Sequence, residues 1–160
     1  MPSAYIETTI PSYYVARSSM NLLQASRQAS TRLWWDSGCS GLEIFTSLEA
    51  IDEAGEGDEE LAQMRLRLLE KVTRLEITDE IGNLAVKLVS SGLIPDKAAS
   101  DAIHIAVASA HGMDYLVTWN FKHIANPFIQ NRLRKTVQDF GFHFPVMCSP
   151  EELLQNNEDN

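Results

Sequence analysis

Three carboxylates stand where local structure alone gives them little reason to be: Glu7, Asp101 and one of the pair Glu49 and Glu53. Glu7 follows Ser3-Ala4-Tyr5-Ile6, a short strand, and precedes Thr8-Thr9-Ile10-Pro11-Ser12, whose hydroxyls and proline suit a helix start. Its structural alternative is attraction to the first turn of that helix, about 0.3–1 kcal/mol. Asp101 opens the run Asp101 to Ala106 (DAIHIA), in a helix otherwise almost entirely small or apolar. An ionised carboxylate beside buried surface is costly unless it is paired or holds a cation, although a first-turn or capping Asp is common. His104 shares a helix face with Asp101 and could be a ligand, but a hydrogen-bonded core histidine is the stronger reading. In Ser47 to Ala54 (SLEAIDEA), Glu49 and Glu53 lie one turn apart on one face. The acids around them, Asp52, Glu56 and Asp58 among them, read as a solvated face, with one of the two glutamates pointing inward.

Oxygen ligands drawn from separated segments suit Mg2+ or Mn2+, which keep several waters and meet substrate phosphates. The matching chemistry is phosphodiester hydrolysis: the metal acidifies a bound water, orients it and offsets charge on the leaving oxygen. The sequence has no P-loop, no G-x-S-x-G, no G-x-G-x-x-G and no zinc-ligand spacing.

These residues need a scaffold. A chain of 160 residues, 44% hydrophobic, predicts one domain, residues 1–154, with a flexible C-terminal tail at 155–160. Met1 to Ile10 lacks the charged start and long apolar run of a signal peptide, and no stretch approaches the roughly 20 apolar residues of a membrane span, so a cytoplasmic chain with no membrane partner is expected. Cys39 and Cys148, far apart and without CxxC spacing, read as reduced packing residues. The net charge of -9 argues against a general nucleic-acid binder. Twelve of the 22 acids, however, fall between Glu43 and Glu60 or from Glu151 onward, leaving the remaining surface closer to neutral.

Apolar periodicity predicts a helix over about 20–36, and a strand around Leu42 to Phe45 followed by a short helix that Ser47 caps, reaching Ala54. Further helices are predicted over 58–72, 79–91, 98–111 and 128–140, and a capped one from Ser149-Pro150. Strands are predicted over 75–78, 115–118 and 143–147. Strands alternating with helices give an α/β fold with a mainly parallel central sheet flanked by helices. Such sheets bind ligands beyond the carboxyl ends of their strands, where Glu7 falls.

Nearly end to end, the chain resembles the PIN-domain ribonucleases, particularly the VapC-like toxins of type II toxin-antitoxin systems. Tyr5-Ile6-Glu7-Thr8-Thr9 looks like the family's opening strand and acidic turn, and Gln28 to Trp35 (QASTRLWW) resembles the first-helix pattern of one subgroup. Ser47 to Asp58 is similar to its second acidic segment, while Asp101 to Ala106 and Leu116 to Asn126 (LVTWNFKHIAN) are the most specific stretches. The resemblance implies a PIN-like fold and Mg2+- or Mn2+-dependent endoribonuclease activity. It assigns the first and third metal ligands to Glu7 and Asp101 and the second to Glu53, with Glu49 as the alternative. Asn120 takes the fourth polar position, and Thr8 and Thr118 give hydrogen-bonding support. The family's first ligand is usually Asp, so Glu7 sets its carboxylate one methylene farther from the strand. Neutral Asn120 leaves less charge for a second metal, and one tightly bound ion is expected. The implied partners are an RNA substrate and a cognate antitoxin protein, with a homodimer by analogy. Arg17, Arg27, Arg32, Lys97, Lys122 and His123 are candidates for gripping substrate, and Trp34 and Trp35 for stacking on bases or for packing.

Overall fold

The computed structural model describes residues 1–39 and 41–158. Five short strands form one sheet: β1 (Ser3–Ile6), β2 (Glu43–Ser47), β3 (Thr73–Leu75), β4 (Tyr115–Val117) and β5 (Val146–Cys148), in the order β3-β2-β1-β4-β5. Every pairing is parallel. Parallel neighbours require long crossovers, and helices supply them: α1 (Thr9–Val15) and α2 (Leu22–Leu33) between β1 and β2, then α3 (Leu48–Ala54) and α4 (Glu59–Leu69) before β3. α5 (Asp79–Ser90) and α6 (Ala99–Ala110) precede β4, α7 (Gln130–Asp139) precedes β5, and α8 (Pro150–Glu158) follows it.

β1 is central because its residues tolerate cover on both sides: Ala4, Tyr5 and Ile6 are all fully buried. Side chains alternate across the strand. Tyr5 joins the core made with Leu84 and Leu88 of α5, Ile105 of α6 and Leu133 of α7. Ala4 and Ile6 join Val117, Trp34, Ala54 and Leu69 on the opposite face. After building outward to β3 the chain returns to the other side of β1, so the connections leaving β1 and β4 diverge from adjacent strand ends. That divergence is the crevice in which open α/β sheets place ligands.

The expected elements form, with shifts that single residues explain. β3 ends before the predicted 75–78 because the Thr78 hydroxyl caps α5, accepting from the Ile81 amide. The last strand starts at Val146, later than expected, because Pro145 has no amide to give and the Val146 amide opens the ladder to Asp114. The 20–36 helix divides into α2 and a π-helical turn, Trp34–Gly38, which holds the fully buried Trp34. Ser47 sits at the start of α3 without capping it, its hydroxyl being engaged with Tyr5. The backbone of α8 runs past Leu154, where the tail was expected, and residues 159 and 160 lie outside the described residues. Among the described residues no helix is long and apolar enough to cross a membrane.

Candidate active site

Glu7 is the first residue beyond β1, its amide still bonded to the Val117 carbonyl of β4. Its carboxylate turns inward and is 2% exposed. Three donors converge on one oxygen, Oε1: the Thr9 amide at 3.0 Å, the Thr9 hydroxyl, and the Thr118 hydroxyl at 2.8 Å. Burial pushes the Glu7 carboxyl above its ordinary range, and neither the charge of His104 nor these hydroxyls fully reverses that. The same two hydroxyls tie down the loop after β4. Thr9 Oγ1 accepts from the Trp119 amide at 2.9 Å and Thr118 Oγ1 accepts from the Asn120 amide at 2.8 Å. Asn120 Oδ1 in turn accepts from the His123 amide at 2.9 Å, folding the loop back on itself.

Glu53, on α3, reaches the same region. Its Oε1 accepts from the Thr8 hydroxyl at 2.7 Å and lies 2.5 Å from Nε2 of His104. His104 is fully buried on α6, and its Nδ1 stands 2.7 Å from the Tyr5 hydroxyl, itself 2.7 Å from Ser47 Oγ. Burial opposes a charged imidazole, but the hydrogen bond to Glu53 and the charges of Glu7, Glu53 and Asp101 hold its pKa above the ordinary value. Burial likewise raises Glu53, and the bond and charge of His104 with the Thr8 hydroxyl outweigh it, so its pKa is lowered. Both directions describe an ion pair between the fully buried His104 and a half-buried Glu53. In that state both ring nitrogens donate, Nε2 to Glu53 and Nδ1 to Tyr5, leaving the phenol hydrogen for Ser47.

Asp101 occupies the first turn of α6, 17% exposed at its side chain, with Oδ2 at 3.0 Å from Nδ1 of His123. Beside it, the Ser100 hydroxyl donates to Oε1 of Glu49 at 2.7 Å. The charges of Glu7, Glu53 and Asp101 all bear on His104, Glu53 by a direct bond, while Asp101 pairs with His123 and Glu7 is held by Thr9 and Thr118. Thr8 is bonded to Glu53, Asn120 to Thr118, and Glu49 to Ser100 at the start of α6. Of the candidate cations, His123 touches the set through Asp101. Lys97 and Lys122 are exposed, and Arg17 is an exposed partner of Glu60 at 4.0 Å. Trp34 is core and Trp35 is partly buried behind it. Both cysteines are free thiols, and burial pushes the pKa of Cys148 up to about 12.

Among the described residues, no three His, Cys, Asp or Glu side chains are grouped closely enough to hold a metal ion as they stand. The chemistry of the set nevertheless fits a hard cation, because Glu7, Glu53, Asp101 and Asn120 all offer oxygen. One carboxylate oxygen of Glu7 is not engaged by its three donors. Sequence reasoning missed Thr9, Tyr5 and Ser100. Thr9 lies inside the acidic turn that follows β1 and its hydroxyl was the available signal, whereas Tyr5 reads as an ordinary strand aromatic.

No sequence profile of a known protein family matches the chain, and neither does any curated protein. Among solved structures the chain is similar to VapBC2 from Rickettsia felis, determined bound to a DNA fragment from their promoter. The similarity covers 92% of this chain and 98% of the other at a TM-score of 0.54 and 17% identity. That likeness shows the fold: a PIN-like α/β architecture, here with an all-parallel five-stranded sheet flanked by helices.

Proposed function

We propose that this protein is a metal-dependent endoribonuclease hydrolysing RNA phosphodiester bonds, the toxin of a type II toxin-antitoxin pair. The observation that carries this reading is that Glu7, Glu53 and Asp101, from three distant segments, all act electrostatically on the buried His104, with Glu53 bonded to it directly and Glu7 standing where the β1 and β4 connections diverge. Glu7, Glu53 and Asp101 would hold one Mg2+ or Mn2+, with Asn120 as a neutral fourth member. The ion supplies an acidified water and a counter-charge for the phosphate. Thr118 and Thr9 orient Glu7, and Thr8 orients Glu53. A cognate antitoxin as partner is supported by the similarity to a chain of the VapBC2 complex.

A second reading, a PIN-fold binding module acting through protein partners, is favoured by one specific observation. Glu7 lies buried with its carboxyl raised above the ordinary range, and among the described residues no three His, Cys, Asp or Glu side chains are grouped to hold a metal ion. RNA cleavage separates the two. Wild type is expected to cut structured RNA with Mn2+ and not with chelator, and Asp101→Asn to be slower by on the order of 100-fold or more, as for loss of one preorganised electrostatic group. Intact RNA with both metals, together with a melting temperature indifferent to metal, would leave the binding module.

A further inference from the structure

Beside the carboxylates lies a cluster they do not use. The guanidinium of Arg27, on α2, sits 5.3 Å from the ring centroid of Trp119 and 5.2 Å from that of Phe121, the residues flanking Asn120. Trp119 and Phe121 meet edge to face at 6.0 Å, and Tyr13 of α1 closes on Trp119 at 5.9 Å. Trp119 is buried and fixed, its indole N–H donating to Thr31 Oγ1 at 2.8 Å. Phe121 is 40% exposed. Among the described residues Arg27 has no acidic partner; its recorded side-chain bond is a long one to the Tyr13 hydroxyl at 3.5 Å. The cluster is fastened to the site, because the Trp119 amide donates to the Thr9 hydroxyl that also holds Glu7.

Charge distinguishes this corner further. The stretch 8–35 carries Arg17, Arg27 and Arg32 and no acid, and 115–138 carries Lys122, Arg132, Arg134 and Lys135 and no acid. In a chain with 22 acids and a net charge of -9, these two stretches hold seven of the 13 basic residues and none of the acidic ones. They meet at Arg27, Trp119 and Phe121. Arg17 of the first stretch is paired with Glu60 and Lys135 of the second with Asp139, and the guanidinium of Arg27 is the cation set against the aromatic pair.

We infer that Phe121 and Arg27 form a stacking shelf for single-stranded RNA, one unpaired base lying on the Phe121 ring and a neighbouring phosphate meeting the Arg27 guanidinium. An aromatic face takes a splayed base, which a duplex does not present, and a cation beside it holds the backbone. The shelf rests on the ribonuclease reading for what happens to the bound strand, but binding is measurable without cleavage.

The test uses the full chain carrying Asp101→Asn, so that the probe stays intact, and a labelled oligouridylate of roughly 12 nucleotides. Adding Phe121→Ala is expected to weaken binding roughly ten- to a hundredfold, and Phe121→Trp to retain it. Arg27→Gln should lower the salt-dependence slope by about 0.7, the value for one phosphate contact on a single strand. Arg27→Lys should keep that slope and bind less tightly, having lost the planar group. The inference is overturned if Phe121→Ala leaves the affinity unchanged, if an RNA duplex of the same length loses as much, or if the oligonucleotide does not bind. It also fails if Phe121→Ala spares RNA but abolishes association with a protein partner. Wild type that cuts RNA while Phe121→Ala binds normally would leave the ribonuclease standing and remove the shelf. Shelf-dependent binding by a wild type that cuts nothing would do the reverse.

Discussion

At the scale of single residues the site is a compromise between a buried charge and its uses. The folded chain holds the Glu7 proton to higher pH than the unfolded chain, whose carboxyl has the ordinary value of 4.5. Its contribution to stability is therefore greatest below that value and declines as pH rises through the raised folded pKa. Glu7→Gln keeps an oxygen for Thr9 and Thr118 while removing the charge. It should stabilise the metal-free protein at neutral pH by about 0.5–2 kcal/mol, the common yield when a strained functional group is relaxed, and abolish metal-dependent cleavage. Denaturant melts at pH 4 and pH 8 check this, since the gain should be present at pH 8 and shrink at pH 4. His104 has the opposite character. His104→Ala leaves the Tyr5 hydroxyl without that partner and Glu53 without its counter-charge, and opens a cavity, so a loss of about 2–4 kcal/mol is expected. His104→Gln, able to donate to Glu53, should recover part of it; equal losses for both in urea titrations would show that packing alone is at stake. Glu7 and Asp101 stand out in the sequence as carboxylates at a strand end and a helix start, whereas Asn120 enters only through the family resemblance. The chain of bonds from Ser47 through Tyr5 and His104 to Glu53 was not legible there, because it joins residues up to 99 positions apart and depends on which way each side chain turns in a finished core.

At the scale of elements, α6 carries Asp101 and His104 and is fixed by its small residues. Ala102, Ala106 and Ala108 are buried to the backbone, and Ile81, Leu84 and Leu88 of α5 fill the same core. Leu88→Ala should cost about 2–5 kcal/mol, whereas Val86→Ala on the same helix, 67% exposed, should stay within about 0.5 kcal/mol. Comparing urea midpoints at constant slope checks the contrast, and near-equal losses would mean that α5 is not clamped on α6 as described. Helices α5 and α6 were readable because their periodicity is long and their ends carry signals, Gly92 after one and Pro95 before the other. The three-residue strands β3 and β5 were placed a few residues off, since one capping hydroxyl at Thr78 and one missing amide at Pro145 decide their limits. Both α1 and α3 have 7 residues and no side-chain cap, too little to stand alone in water, so although local signals mark where they begin, their stability comes from packing.

At the scale of the whole molecule, the sheet order brings β1 and β4 together, and the charges of residues 7, 53 and 101, from separate stretches, all bear on His104. A divalent ion bound by all three would tie the β1 end, α3 and α6 to one another and would bind only the folded chain. By mass action a free-ion concentration a hundred times the dissociation constant should add about 2.7 kcal/mol. In a chain of this size that is a melting-temperature rise of roughly 5–10 °C. Glu7 must be ionised to take part, so the rise should grow with pH as its raised carboxyl loses the proton, and fade as pH falls through that range. Thermal melts with Mn2+ at several pH values, for wild type, Glu53→Gln and Asp101→Asn, decide the matter. The wild-type shift should vanish in both variants, because each removes a ligand from a different segment. A shift that survives Glu53→Gln would move the second ligand to Glu49, which faces Ser100 at the start of α6. A shift that survives Asp101→Asn, or does not change with pH, would mean that the ion binds the acidic surface and not the crevice.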